Sequence, residues 1–199
     1  MSFRTLIAAV AVIAVTTGCT INRPTSDDYR QYLANNQGAA KLPAAKVGEQ
    51  YYLTPATQAH HYEFRSATAG YANVWTVDFG KVLDATMQSP DVIAALGNIK
   101  KASDDKAASG NTIVFDLQNY TFKDHGAHVE LAIAIRNAQG EVFRKVYKAD
   151  GDTQGGKMFF AGAFGMKNAV QQSTKLAVDS ILTRFLNDVN NTPALSAAK

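Results

Sequence analysis

Apolar and polar positions are most regularly ordered in the C-terminal half of the chain. Across TIVFDLQNY, residues 112–120, Ile113, Phe115 and Leu117 take every second place. Across HVELAIAIRN, residues 128–137, Val129, Leu131, Ile133 and Ile135 do the same, with Glu130 and Arg136 opposite. A period of two predicts strands with one buried face. Asn137, Ala138, Gln139 and Gly140 supply a turn, and EVFRKVYKA, residues 141–149, follows as the partner strand. Its register stays open, because Val142 and Val146 alternate out of step with Phe143 and Tyr147. From about Met166 to Val189 the period lengthens. Val170, Ala177, Val178, Ile181, Leu182, Phe185, Leu186 and Val189 form one helical stripe, with Lys167, Gln171, Lys175 and Asp188 off it.

The N-terminal half is less regular. His61 to Arg65 alternates, with Tyr62 and Phe64 on one side. In YANVWTVDFGKVLDATMQS, Trp75, Phe79, Val82, Leu83, Thr86 and Met87 recur at helical spacing, which favours an amphipathic helix over a strand through VWTVDF. Gly80 opposes that helix by about 1 kcal/mol relative to Ala. Ser89-Pro90 stops it and opens a second short helix, Asp91 to Leu96. Gly97 to Asn111 is a polar connection. Residues 20–50 show no sustained aliphatic periodicity and read as a tether, containing a short helix from Asp27 to Asn35 capped by Ser26. The order is β-α-β-β-β-α, an α+β fold with one mostly antiparallel sheet and two helices packed on one face.

The first 19 residues change where this domain is expected to live. Arg4 precedes ten apolar residues, Leu6 to Val15, and then small residues up to Gly18-Cys19. Ten residues are too few for a membrane-spanning helix, which needs about 20, but they suit the core of a signal peptide. Thr16-Thr17-Gly18-Cys19 resembles the bacterial lipobox, with cleavage between Gly18 and Cys19 and acylation of the cysteine. Thr16 stands where that motif favours Leu. Cys19 is the sole cysteine of the chain, so neither an internal disulfide nor a cysteine-based metal cluster is possible. Acyl chains on Cys19 would fix the protein to a membrane, since each buried CH₂ contributes about 0.8 kcal/mol. By resemblance to enterobacterial lipoproteins, Thr20 in place of Asp implies sorting to the outer membrane, on its periplasmic face. The chain thus divides into a signal peptide (1–18), a lipidated cysteine with a flexible tether (19–50), an α+β domain (51–190) and a disordered tail (191–199).

Composition narrows the partners. The net charge is only +3, and no cluster of five or more Lys/Arg occurs, so no nucleic-acid partner is expected. The hydrophobic fraction of 46% supplies a globular core. With these features in view, the chain resembles a group of Gram-negative outer-membrane lipoproteins. That group comprises the YajG-like lipoproteins, the lipopolysaccharide-assembly lipoprotein that plugs an outer-membrane translocon, and the auxiliary lipoproteins of lipid-transport ABC systems. The lipobox, the element order over residues 60–189 and FAGAFGMKNAVQQSTKLAVDSILTRFL carry the resemblance. Gly162-Ala163-Phe164 leading to Ala177-Val178 and Ser180-Ile181-Leu182 is most similar to the YajG-like members. The resemblance implies a noncatalytic envelope protein that works through contacts.

Candidate chemistry is sparse. Gly151 to Met158, GDTQGGKM, has the G-x-x-x-x-G-K spacing of a P-loop, but Met158 stands where the magnesium-binding Ser or Thr belongs. No parallel βαβ setting surrounds it, and an exported protein meets essentially no ATP, so no nucleotide is expected. His60-His61 and His125/His128 suggest a metal only superficially, because neighbouring strand residues point to opposite faces. No cofactor or metal is expected, and Asp78, Asp84 and Asp116 are scattered without a catalytic motif. MFFAGAF, 158–164, is the candidate contact loop: Met158, Phe159, Phe160 and Phe164 either dock a partner or fill the core. The expected function is that of a noncatalytic, periplasm-facing accessory or scaffold in envelope assembly or lipid transport, with an envelope protein as partner. The alternatives are a lipid- or glycan-binding module with an apolar groove between sheet and helices, and, ranked last, a hydrolase of envelope polymers.

Overall fold

A computed structural model of the protein describes residues 20–38, 41–105, 110–152 and 162–192. In chain order the elements are β1 (Ile21–Pro24), α1 (Tyr29–Asn35), β2 (Gln50–Leu53), α2 (Pro55–Gln58), β3 (His61–Phe64), a 3₁₀ turn (Ala67–Ala69), β4 (Asn73–Asp78) and α3 (Phe79–Met87). They continue as α4 (Pro90–Leu96), β5 (Lys100–Lys101), β6 (Thr112–Lys123), β7 (Gly126–Asn137), β8 (Gly140–Gly151) and α5 (Gly162–Asn190). The strands form two mixed sheets, ordered β5-β2-β6-β7-β8 and β1-β4-β3. The α+β class therefore stands, but the single antiparallel sheet with two helices does not. Parallel pairings of β2 with β5 and β6, and of β1 with β4, come from segments too short for periodicity to mark.

The antiparallel ladder β6-β7-β8 is the frame. Register resolves the ambiguity in β8: Ile135 faces Phe143 and Leu131 faces Tyr147, with an irregularity between Ile135 and Arg136. Both rings turn inward onto Phe185 of α5, and Val142 and Val146 turn outward. Two aromatic rings bury more apolar area than two valines, which decides the face.

Every stripe residue named on α5 is buried. So are Gln171 and Lys175, which the periodicity had set off the stripe. Gln171 Nε2 donates to the Thr25 carbonyl (2.9 Å) and to Asp28 Oδ1 (2.8 Å), and Lys175 Nζ binds Asp179 at 2.6 Å. The helix thus lies between the five-stranded sheet and the N-terminal segment, so it has little amphipathic contrast.

That segment is the largest departure from the expected tether. Residues 21–24 pair with β4 in register Ile21↔Asn73 to Pro24↔Thr76. Asp78 N–H donates to Ser26 Oγ at 2.7 Å, and Tyr29, Leu33, Ala45 and Val47 join the core. The short helix is present as α1, but it begins at Tyr29 with Asp28 at the N-cap position, and the Ser26 hydroxyl accepts from Asp78 instead of capping it. Outside that helix the apolar residues are too widely spaced to read as an element, and only the partner strand reveals the purpose of Ile21 to Pro24.

Residues 71–89 are also corrected: both competing patterns are used in succession. Asn73–Asp78 is the central strand of the small sheet, with Val74, Trp75, Thr76 and Val77 all buried, and the helix begins only at Phe79. Gly80 is required by close approach, since a Cβ there would sit 2.6 Å from the Gln58 carbonyl oxygen of α2. Helix α4 starts at Pro90 with Ser89 Oγ accepting from Val92 N–H. Within the polar connection, Lys100–Lys101 adds the short β5 beside β2.

Candidate functional site

Cys19 and Gly18 lie outside the described residues, as do Met158, Phe159 and Phe160. Phe164, in the first turn of α5, is 82% exposed. Of GDTQGGKM only Gly151 and Asp152 are described. Gly151 ends β8 against α5, where an added Cβ would fall 1.8 Å from the Ser173 carbonyl oxygen. Ser173 Oγ donates to the Gly151 carbonyl at 2.8 Å and accepts from Ala127 N–H. This glycine exists so that two backbones can touch, with α5 seated on the end of the ladder.

The titratable residues are dispersed into separate local arrangements. His60 packs against Phe79 and Tyr120, and burial, with the neighbouring His61, lowers its pKa. His61 is held by Asp78 at Nδ1 (2.7 Å) and Glu63 at Nε2 (3.0 Å), and these two carboxylates raise its pKa. With an acceptor on each nitrogen the ring favours the imidazolium form and has no free lone pair to act as a base. His128 Nδ1 contacts Asp150 at 2.6 Å on the adjacent strand. Asp84 accepts from the Tyr51 hydroxyl (3.0 Å) and binds Lys101 (2.9 Å), whereas Asp116 accepts from Thr54 (3.1 Å) and Gln118 (2.8 Å). The structure brings none of the three named acids together. Among the described residues, no group of three or more His, Cys, Asp or Glu side chains is placed to hold a metal ion.

The space between the five-stranded sheet and α5 is filled. Leu131, Ile133 and Ile135 from β7 meet Ile181, Leu182 and Phe185 with no solvent exposure. A shallow hollow of about 620 Å³ lies beside the β7–β8 turn, where Arg136 pairs with Asp105 and Glu141.

Strand β8 is an edge of the large sheet, 12 residues long and without proline. Val142 and Val146 are 43% and 46% exposed along it, interleaved with Arg144, Lys145 and Lys148. The opposite edge, β5, is only two residues long, both lysines. In the small sheet, β1 ends in Pro24. Edges are normally blunted by shortness, charge, bulges or proline. Here β8 has its charges and an irregular first turn, but keeps its length. The sequence reading missed this edge, because strand order is not written in any local pattern.

No protein-family model matches the chain, and no curated protein sequence does. Among solved structures, protein XCC0632 from Xanthomonas campestris (family model DUF330) superposes with a TM-score of 0.43. Identity is 9%, over 76% of this chain and 91% of that one. A likeness of that size carries no argument about this chain.

Proposed function

We propose that the protein is a noncatalytic lipoprotein, anchored through acyl chains on Cys19 to the outer membrane and facing the periplasm. It serves as an accessory or scaffold in envelope assembly or lipid transport, in the manner of the YajG-like and related lipoproteins. It works through protein contacts. The observation that supports this most is the long edge strand β8, which pairs with no further strand among the described residues, has its Lys148 carbonyl taken by Arg184, and carries two exposed valines. Such an edge can accept a strand from a partner, which gains main-chain hydrogen bonds from the ladder and side-chain contacts from alternate positions. The dispersal of the acids and histidines into local pairs, and the absence of a P-loop metal ligand at Met158, favour contact over chemistry.

Photo-crosslinking from position 146 in intact cells tests the reading, with position 93 on α4 as control. We expect one discrete protein adduct from 146, lost in a Val142→Asp/Val146→Asp variant that still folds. Equal labelling from both positions, or none from 146, would sink it.

A further inference from the structure

Three exposed apolar side chains stand at the end of the molecule where the chain comes in from Cys19. Ile21 is 44% exposed, Tyr71 69% and Phe164 82%. The last two are the most exposed large apolar side chains among the described residues. Topology places Ile21 beside Tyr71. Strands β1 and β4 run parallel from this end, and Ile21 N–H donates to the Ala72 carbonyl at 2.8 Å, beside Tyr71. Strand β3 ends here too, because Phe64 pairs with Trp75 near the start of β4. On α5, Ser173 marks the last residue of β8. The helix extends beyond it toward its N-terminus by roughly 14 Å as far as Phe164, at 1.5 Å per residue. Helix α5 packs against the 3₁₀ turn Ala67–Ala69, which immediately precedes Tyr71, and Phe64 at the end of β3 stacks on Phe122 beside the same end of the ladder.

We infer that this end is the membrane-facing surface of the protein, and that Ile21, Tyr71 and Phe164 rest in the lipid interface. The inference rests on the lipoprotein reading and adds to it an orientation. Its core is a length: β1 begins at Ile21, two residues after Cys19. Two extended residues span at most about 7 Å. An acylated Cys19 holds its own backbone at headgroup level, so the end of the domain that carries Ile21 cannot hang free of the bilayer. The side chains present there suit it. Tyrosine combines an apolar ring with a polar tip and favours the headgroup boundary, and phenylalanine and isoleucine bury directly. Charge around the patch is mixed: Arg23 is tied to Asn73, Arg65 to the Tyr71 carbonyl, and Lys167, three residues from Phe164, to Asp28 at 2.5 Å. Attachment is therefore apolar in character and needs little intrinsic affinity, because the anchor makes it an intramolecular event. Helix α5 then leads away from the membrane, with the β7–β8 turn and Val142 at the far end.

Single-cysteine labelling of the full lipidated chain tests this. Cys19 is the chain's sole cysteine, and acylation removes its thiol, so an introduced cysteine is the one reactive site. Tyr71→Cys, Phe164→Cys and Val142→Cys are each labelled with the fluorophore NBD. They are then reconstituted in vesicles of phosphatidylethanolamine with a minority of phosphatidylglycerol and doxyl-labelled phosphatidylcholine. Positions 71 and 164 should lose most of their emission to the lipid quencher, whereas position 142 should keep its own. If all three are quenched alike while intact mass shows acyl chains on Cys19, the orientation is overturned and the lipoprotein reading survives. Emission at 71 and 164 that follows protein density instead of quencher would mean a second copy covers the patch, which also overturns it. An unacylated Cys19 refutes both.

Discussion

His60 and His61 are adjacent in the chain and opposed in their chemistry. Burial against Phe79 and Tyr120, aided by the charge of His61, lowers the pKa of His60 in the folded state. As pH falls through the ordinary histidine value of about 6.5, the unfolded chain takes up its proton first and stability drops. Asp78 and Glu63 raise the pKa of His61, so its contribution is full below that ordinary value and is lost as pH rises through the folded one. The two slopes oppose each other across the same window. His61→Asn should make the urea midpoint fall more steeply on going from pH 7.5 to 5.5, and His60→Phe should make it rise. Asp179, whose pKa burial raises, acts in the wild type and both variants and drops out of the differences. Parallel pH profiles for all three proteins would count against this account. The dipeptide was legible in the sequence as a strand end, but the opposite environments were not. They depend on β4 and β6 arriving on either side.

At the scale of elements, α5 shows how a correct periodicity can still misplace residues. Its apolar stripe was readable because aliphatic residues recur at helical spacing. The second buried side was not, because it is lined by Gln171, Ser173, Thr174 and Lys175, residue types that normally mark a solvated face. They are buried at tolerable cost because each finds a partner. Lys175, only 6% exposed, sits 2.6 Å from Asp179 and 3.7 Å from Asp91. Removing one member of such a group leaves buried charge uncompensated. Lys175→Met should therefore cost about 3 kcal/mol of unfolding free energy by urea titration, and adding Asp179→Asn should recover part of it. A neutral Lys175→Met would mean that the acids shed their charge at no expense. Strand β4 carries a related lesson. Val74 to Val77 is buried on both faces, so it has no polar side to alternate with, and the helix signal from Phe79 onward spread backward over it.

At the scale of the whole molecule, the domain begins where a tether was expected. Tyr29, Leu33, Ala45 and Val47 contribute to the core, and β1 completes the small sheet. A chain reduced to residues 51–199 should accordingly be largely insoluble or poorly cooperative in thermal unfolding, whereas residues 20–199 should melt as one unit. Equal melting of the two would restore the tether. Much of the frame was legible: the β6-β7-β8 ladder, the long closing helix, the second short helix at Ser89-Pro90 and the α+β class. These follow from residues close together in sequence, where hydrophobic period and turn chemistry act locally. Tertiary structure alone decided the rest. It set the order of strands that leaves β8 as an edge, and the division of strands between two sheets. It also decided which rings of β8 turn inward, and it set Ile21 beside Tyr71 at one end. Those outcomes depend on contacts between segments about 40 to 146 residues apart, and no local pattern encodes which distant segment will supply the missing hydrogen bonds and apolar cover.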